Sequence, residues 1–203
     1  QKTFLLTTLV WVVLSIFASI PFVLGYTNAN LVDAIFEAVS GITTTGSTVF
    51  SELDKMPKGL LLWRGILQWL GGIGIIVVAM VFLPELRVGG MQIFRAEGFD
   101  TLGKILPRAT TIAFQISIIY VGITIACGLA YVLAGMSFFD AVVHSFTTVA
   151  TGGFSNYDGS FSVFSWQVEY VAILFMILSA LPFVRYVQLI NGQGTAVFKD
   201  PQV

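Results

Sequence analysis

Hydrophobic positions in this chain come in long unbroken runs, neither alternating nor striped. Residues 4–25 are mostly Leu, Val, Ile and Phe without a charge. Residues 65–84 and 109–139 repeat the pattern, and 166–190 does so with Glu169 near its start and Arg185 near its end. About 20 apolar residues in a helix cross about 30 Å of hydrocarbon, so the runs predict four spanning helices. The first run is too long for a signal peptide, and it follows Gln1-Lys2 rather than an initiator Met, so the chain is expected to begin inside a longer protein.

Two of the connections do not read as ordinary loops. Each opens with a short apolar stretch, residues 31–41 and 138–148, long enough as a helix for about half a bilayer. Each stretch begins near an aspartate, Asp33 or Asp140, which can cap or complement a helix N-terminus. Small polar residues and glycine follow: Thr43-Thr44-Thr45-Gly46-Ser47-Thr48 and Ala150-Thr151-Gly152-Gly153-Phe154-Ser155. A half-membrane helix running into a Thr/Gly segment predicts a re-entrant loop. The two loops are also copies: the 107-residue offset that sets Asp140 on Asp33 sets Ala141 on Ala34, Thr151 on Thr44 and Gly153 on Gly46. The same offset carries Leu14 onto Val121 and Ile75 onto Pro182, from span to span. The predicted fold is an all-α membrane protein of two tandem helix–re-entrant loop–helix repeats. Their bounds are residues 1–86 and 109–203, with a linker at 87–108.

Composition agrees. Of the 203 residues, 56% are hydrophobic and 10% charged, with mean hydropathy +0.89, whereas a soluble chain is about a quarter charged. The net charge of −1 offers no basic surface to nucleic acid. One cysteine, Cys127, excludes an internal disulfide, and with one histidine, His144, neither a zinc cluster nor a Ser-His-Asp site is expected. The chain is therefore not read as an enzyme, and no cofactor is expected. Arg87, Arg95, Lys104, Arg108, Lys2, Arg185 and Lys199 lie on one side of the predicted spans, against Lys55, Lys58 and Arg64 on the other. That bias places both termini and the linker in the cytoplasm.

The chemistry expected of such loops is cation passage. Non-helical backbone at membrane depth must be buried in protein or line water. Glycine permits conformations that aim successive carbonyls at one axis, and a ring of carbonyls can replace a potassium ion's hydration shell. Thr43, Thr44 and Thr45 add hydroxyls at the inner mouth, and the short helices aim their negative ends at the cation. No carboxylate lies within either Thr/Gly segment, so dipoles would coordinate a large monovalent ion. Ordinary loops also contain such strings. It is their recurrence behind two half-membrane helices that favours a pore.

These residues resemble the Trk/Ktr/HKT superfamily of potassium uptake proteins, in its bacterial TrkH type. The stretch from Phe36-Glu37-Ala38-Val39-Ser40-Gly41-Ile42 through Thr48 resembles the family's first filter. Gln68-Trp69-Leu70-Gly71-Gly72-Ile73-Gly74 resembles the start of its next inner helix. Gly89-Gly90-Met91-Gln92 and Arg95-Ala96-Glu97 resemble the following cytoplasmic segment, and His144 to Ser155 is similar to the second filter. The resemblance implies four repeats around one pore with pseudo-fourfold symmetry, and one filter glycine per repeat, here Gly46 and Gly153. It implies a bacterial plasma (inner) membrane protein that takes up potassium through carbonyls of Thr43, Thr44, Thr45, Gly46 and Ser47 and of Ala150, Thr151, Gly152, Gly153 and Phe154. Two repeats cannot surround an ion, so the expected partners are the lipid bilayer and two further repeats. A homodimer of full-length protomers and a cytoplasmic nucleotide-binding ring complete them, any nucleotide being held by that ring. A secondary transporter with re-entrant hairpins and a non-conducting structural subunit are the rivals, though inverted repeats are usual in the former.

Other residues stay open on sequence alone. Glu37 and His144 share one place on the two short helices, where they can pack behind the filter or tune its field. Gly71, Gly72 and Gly74 suit close helix packing or a bend. Arg64 and Glu169 are expected at the outer interface, and Cys127 as an inert apolar side chain. The linker reads as a surface segment against the headgroups.

Overall fold

A computed structural model of the chain describes residues 2–25, 29–86 and 109–190. Seven α-helices run through them: α1 (Lys2–Leu24), α2 (Leu31–Ile42), α3 (Lys58–Leu86), α4 (Ala109–Leu133), α5 (Phe138–Val149), α6 (Trp166–Ala180) and α7 (Phe183–Ile190). Short 3-10 turns at Leu53–Lys55 and Ser160–Val163 follow the two loops. The linker at 87–108 and the tail at 191–203, with the sequence expectations placed on them, lie outside the described residues.

The 107-residue offset holds throughout. It takes α1 to α4, α2 to α5, and one 3-10 turn to the other. It also takes the N-cap of α2, Asn30, to the N-cap of α5, Ser137, and not aspartate to aspartate as a capping pair. Asn30 Oδ1 accepts the Asp33 N–H at 2.8 Å. Ser137 Oγ accepts the Asp140 N–H and donates to Asp140 Oδ2 at 2.7 Å. The aspartates thus complement the first helical turn while an uncharged polar side chain three residues earlier caps it. Ser137→Ala removes both bonds and should cost about 1 kcal/mol. The check is a lower thermal midpoint of the detergent-solubilised full-length protein, and an unshifted midpoint would contradict the cap.

The sequence predicts one fourth span over 166–190, and here the structure differs. α6 and α7 meet at an angle of 82°. Pro182 has no N–H for the carbonyl of Leu178 and forces Leu181 out of the helical region, to φ −68° and ψ 143°. The Tyr186 hydroxyl supplies the missing donor, reaching the Leu178 carbonyl at 2.6 Å. Backbone freed inside a membrane protein needs such a substitute. At the corresponding place in the first repeat, Gly74-Ile75, α3 runs on unbroken.

Each repeat has its own core. Ala18 and Phe22 of α1 pack on Ala34 and Ala38 of α2 and on Leu60 and Leu67 of α3. In the second, Tyr120, Cys127 and Tyr131 of α4 meet Ala141, Val149, Val168, Ala172 and Phe175. Cys127 is buried and free. α3 joins the two repeats: Gly65 admits Val143, and Gly72 admits Tyr120 and Ala150. Trp69 Nε1 donates to Thr124 Oγ1 at 3.0 Å, and Tyr120 donates to the Trp69 carbonyl. Gly71 presses on the Ile42 carbonyl, whereas among the described residues nothing lies within 4 Å of a Cβ placed on Gly74. Of the five glycines on α3, Gly65 and Gly72 therefore serve contacts between the repeats, and Gly71 serves one within the first.

The outer faces are apolar. Leu9, Phe17 and Ile20 of α1, Phe114, Ile125 and Leu129 of α4, and Tyr170, Ile173 and Ile177 of α6 are exposed. Such continuous apolar surface suits lipid or further protein and would aggregate in water. Among the described residues Ala113–Leu133 is by itself long and apolar enough to cross a membrane, and α6 with α7 forms a second such element only as a bent pair.

Candidate ion-conducting filter

Both re-entrant helices end in the same turn. At the end of α2 the Thr45 N–H bonds back to the Ser40 carbonyl and the Thr44 N–H to the Gly41 carbonyl. At the end of α5 the Gly152 N–H reaches the Thr147 carbonyl and the Thr151 N–H the Thr148 carbonyl. This is a Schellman closure, which needs a left-handed residue and usually takes glycine there. Here threonine holds it twice, Thr44 at φ 56° and Thr151 at φ 53°. A β-branched residue in that region is strained by about 1–3 kcal/mol, and such strain gathers at functional sites. Two residues on, Gly46 and Gly153 also have positive φ, 78° and 82°.

The chain beyond each turn shows a row of free acceptors. Among the described residues nothing donates to the carbonyls of Thr44, Thr45 and Gly46, or to those of Thr151, Gly152 and Gly153. Those of Ser47 and Ala150 accept the hydroxyls of Ser40 and Thr151. The Thr43 hydroxyl donates to the Val39 carbonyl at 2.7 Å and pairs with that of Thr45. Thr43, Thr45, Ser47, Thr151 and Gly153 are exposed, while Gly152 and Phe154 are buried. The two segments touch where Gly46 lies against the Gly152 carbonyl.

Glu37 and His144 lie behind these segments, both wholly buried. The Glu37 carboxylate accepts the Thr48 hydroxyl at 2.9 Å, the Val49 N–H at 3.1 Å and the guanidinium of Arg64 at 2.7 Å. His144 Nδ1 is 2.9 Å from the Asp140 carbonyl, so it must donate there, and Nε2 pairs with the Ser155 hydroxyl at 3.1 Å. The ring is seated edge-on against Phe161 and Phe164. At the 107-residue offset Thr48 corresponds to Ser155, so each repeat ties its short helix to the residue just past the left-handed glycine segment. One tie uses a carboxylate and the other an imidazole. On the outer side, Asn156 Nδ2 and the Tyr157 hydroxyl donate to Asp140. Burial, and then the bond to Asp140, holds the Tyr157 phenol above its ordinary range. Asp158 accepts the backbone N–H groups of Glu52 and Leu53, fastening the outer loop of one repeat to that of the other.

Arg64 is not the interfacial residue its sequence position suggests, since only 1% of it is exposed. α3 begins at Lys58, so Arg64 is already well inside the helix and on its inter-repeat face. Beyond Glu37, it donates to the Ser155 carbonyl at 2.8 Å and covers the Phe154 ring at 4.2 Å. Gln68, one turn further on, accepts the Phe154 N–H at 3.1 Å. Sequence reasoning missed both residues as parts of this site. Their signal was an Arg and a Gln at i and i+4 on one face of an otherwise apolar helix. Among the described residues no three His, Cys, Asp or Glu side chains gather as a metal site.

Comparison with known proteins bears on this geometry. A family model described as TrkH, cation transport protein, matches residues 1–198. The Trk system potassium uptake protein TrkI of Halomonas elongata is 50% identical over all of this chain and 42% of its own length. TrkH of Escherichia coli is 42% identical, again over the full chain and 43% of its own length. The crystal structure of the potassium transporter TrkH from Vibrio parahaemolyticus superposes with a TM-score of 0.82 at 40% identity, over 94% of this chain and 38% of that one. The chain thus spans about two-fifths of the length of the curated relatives it matches.

Proposed function

The chain belongs to the TrkH family of cation transport proteins, and from that premise we propose that it forms two of the repeats around a potassium-conducting pore. The repeats are residues 1–86 and 109–203, joined by the linker at 87–108. Potassium crosses on carbonyls from Thr43–Ser47 and Ala150–Phe154, moving down its electrochemical gradient. The observation that carries this is the paired row of unpartnered carbonyls behind two left-handed threonine turns. Carbonyls left free in protein that sits in lipid need a polar occupant, and a cation stripped of its water supplies one. The relatives named above are potassium uptake proteins, which selects potassium among monovalent ions.

Two segments enclose half of an axis, so conduction belongs to the longer protein. We assign it to the bacterial inner membrane as a multi-pass protein, with the linker and both ends on the cytoplasmic side. Pairing of full-length protomers and gating by a cytoplasmic nucleotide-binding ring are further parts of this reading. A transporter that alternates access is disfavoured because each repeat has two spans, an even number that returns the chain to the side it started from, so the second repeat enters the membrane in the same orientation as the first. The test is rubidium and sodium uptake by cells that lack their own potassium uptake and express the full-length protein. Rubidium uptake well above sodium uptake is expected. Equal uptake of both, or none at normal abundance in the membrane, would remove the potassium reading.

A further inference from the structure

Gln68 is wholly buried. Its Oε1 accepts the Phe154 N–H at 3.1 Å, while its Nε2 has no partner among the described residues. A Cβ built on Gly152 would stand 2.5 Å from Oε1 and 2.7 Å from Nε2, and one on Gly46 would stand 3.7 Å from Nε2. The amide therefore fills the junction of the two filter segments, where Gly46 lies against the Gly152 carbonyl. Leaving a buried amide N–H unmet is unfavourable, so packing alone does not account for a glutamine at this place. The second repeat makes the comparison: at the same offset it carries Phe175, a core residue.

We propose that Gln68 is a positioning residue that sets potassium selectivity by fixing the spacing between the two filter segments. Its Oε1 pins Phe154 and with it the Gly152-Gly153 carbonyls. Its N–H is held in reserve beside Gly46 and Gly152, to check any rotation of a carbonyl away from the axis. Discrimination between potassium and sodium depends on how many carbonyls surround the ion and how readily they close on a smaller one. A segment released at Phe154 closes on sodium more easily. This rests on the filter reading given above.

The experiment uses the full-length protein and the permeability ratio of potassium to sodium, with membrane abundance measured in parallel. Gln68→Met keeps the side chain's length and loses its hydrogen bonds. It is expected to lower the ratio about fivefold, the equilibrium weight of one neutral hydrogen bond, at ordinary abundance. Gln68→Asn, which keeps an amide, is expected to lose less. Gly153→Ser serves as the filter control. Unchanged ratios in both Gln68 variants, with the ratio lost in Gly153→Ser, overturn the role of Gln68 and leave the filter standing. An unchanged ratio in Gly153→Ser overturns the filter reading and this inference with it. Should Gln68→Met fail to assemble, Gln68→Asn decides alone: a lowered ratio supports the role and an unchanged one refutes it.

Discussion

Arg64→Met is expected to destabilise the folded protein by about 3–5 kcal/mol, the usual cost of stripping one partner from a buried ion pair. The variant leaves the Glu37 carboxylate buried with only the Thr48 hydroxyl and the Val49 N–H to face it. It also frees the Ser155 carbonyl and uncovers the Phe154 ring. Glu37→Gln should be costly for the mirror reason, an unpaired guanidinium in the same enclosure. The double variant Glu37→Gln/Arg64→Met removes both charges and should lose clearly less than the two single losses added, since groups in contact couple by about 0.5–3 kcal/mol. Thermal unfolding of the four full-length proteins in one detergent measures this cycle. Strictly additive losses would show that the pair is not coupled. Because Arg64 reaches both α2 and the end of the second filter segment, the single variant should also broaden ion selectivity in whatever fraction assembles.

The two filter glycines are expected to respond differently to the same substitution. A side chain at Gly46 would run into the Gly152 carbonyl, while at Gly153 nothing among the described residues lies within 4 Å. Both residues are left-handed, which costs an L-residue about 1–2 kcal/mol. Gly46→Ser adds a collision with backbone to that strain, so it should fail to assemble or be recovered at much lower yield. Gly153→Ser bears the strain alone and should assemble. Its hydroxymethyl group enters the open space beside the free carbonyls and competes with them for the ion. A fall of about tenfold in potassium over sodium permeability corresponds to about 1.4 kcal/mol of lost discrimination. Membrane yield separates the two variants, and ion flux then reads the second. If Gly46→Ser assembled as well as Gly153→Ser, the contact between the segments would not govern assembly.

The long apolar runs were legible because lipid demands about 20 of them in a row, whatever the tertiary fold. The matched turns after the two short helices were legible because the copy spacing aligned Thr44 with Thr151 and Gly46 with Gly153, and all four residues have positive φ. Local chemistry also announced the break at Pro182, yet hydropathy averages over it and drew one span. Averaging sees how apolar a stretch is but not whether each carbonyl finds a donor. Charge misled at Arg64 for a related reason. An arginine near a helix start looks interfacial until its partner is known, and Glu37 stands 27 positions away in sequence.

What the sequence determined by itself was written locally: a membrane protein, from composition, and two copies of one helix–loop–helix unit, from repeat spacing. What the tertiary structure alone decided was how the copies are held together. Arg64 and Gln68 belong by sequence to the first repeat, but they grip Phe154 and Ser155 of the second. Glu37 and His144 look equivalent by position and differ by partner, one compensated by a guanidinium and the other held between a carbonyl and a hydroxyl. The physical reason is range. Hydropathy, turn preference and repeat spacing are written along the chain, whereas a buried polar group takes its meaning from whatever distant residue satisfies it.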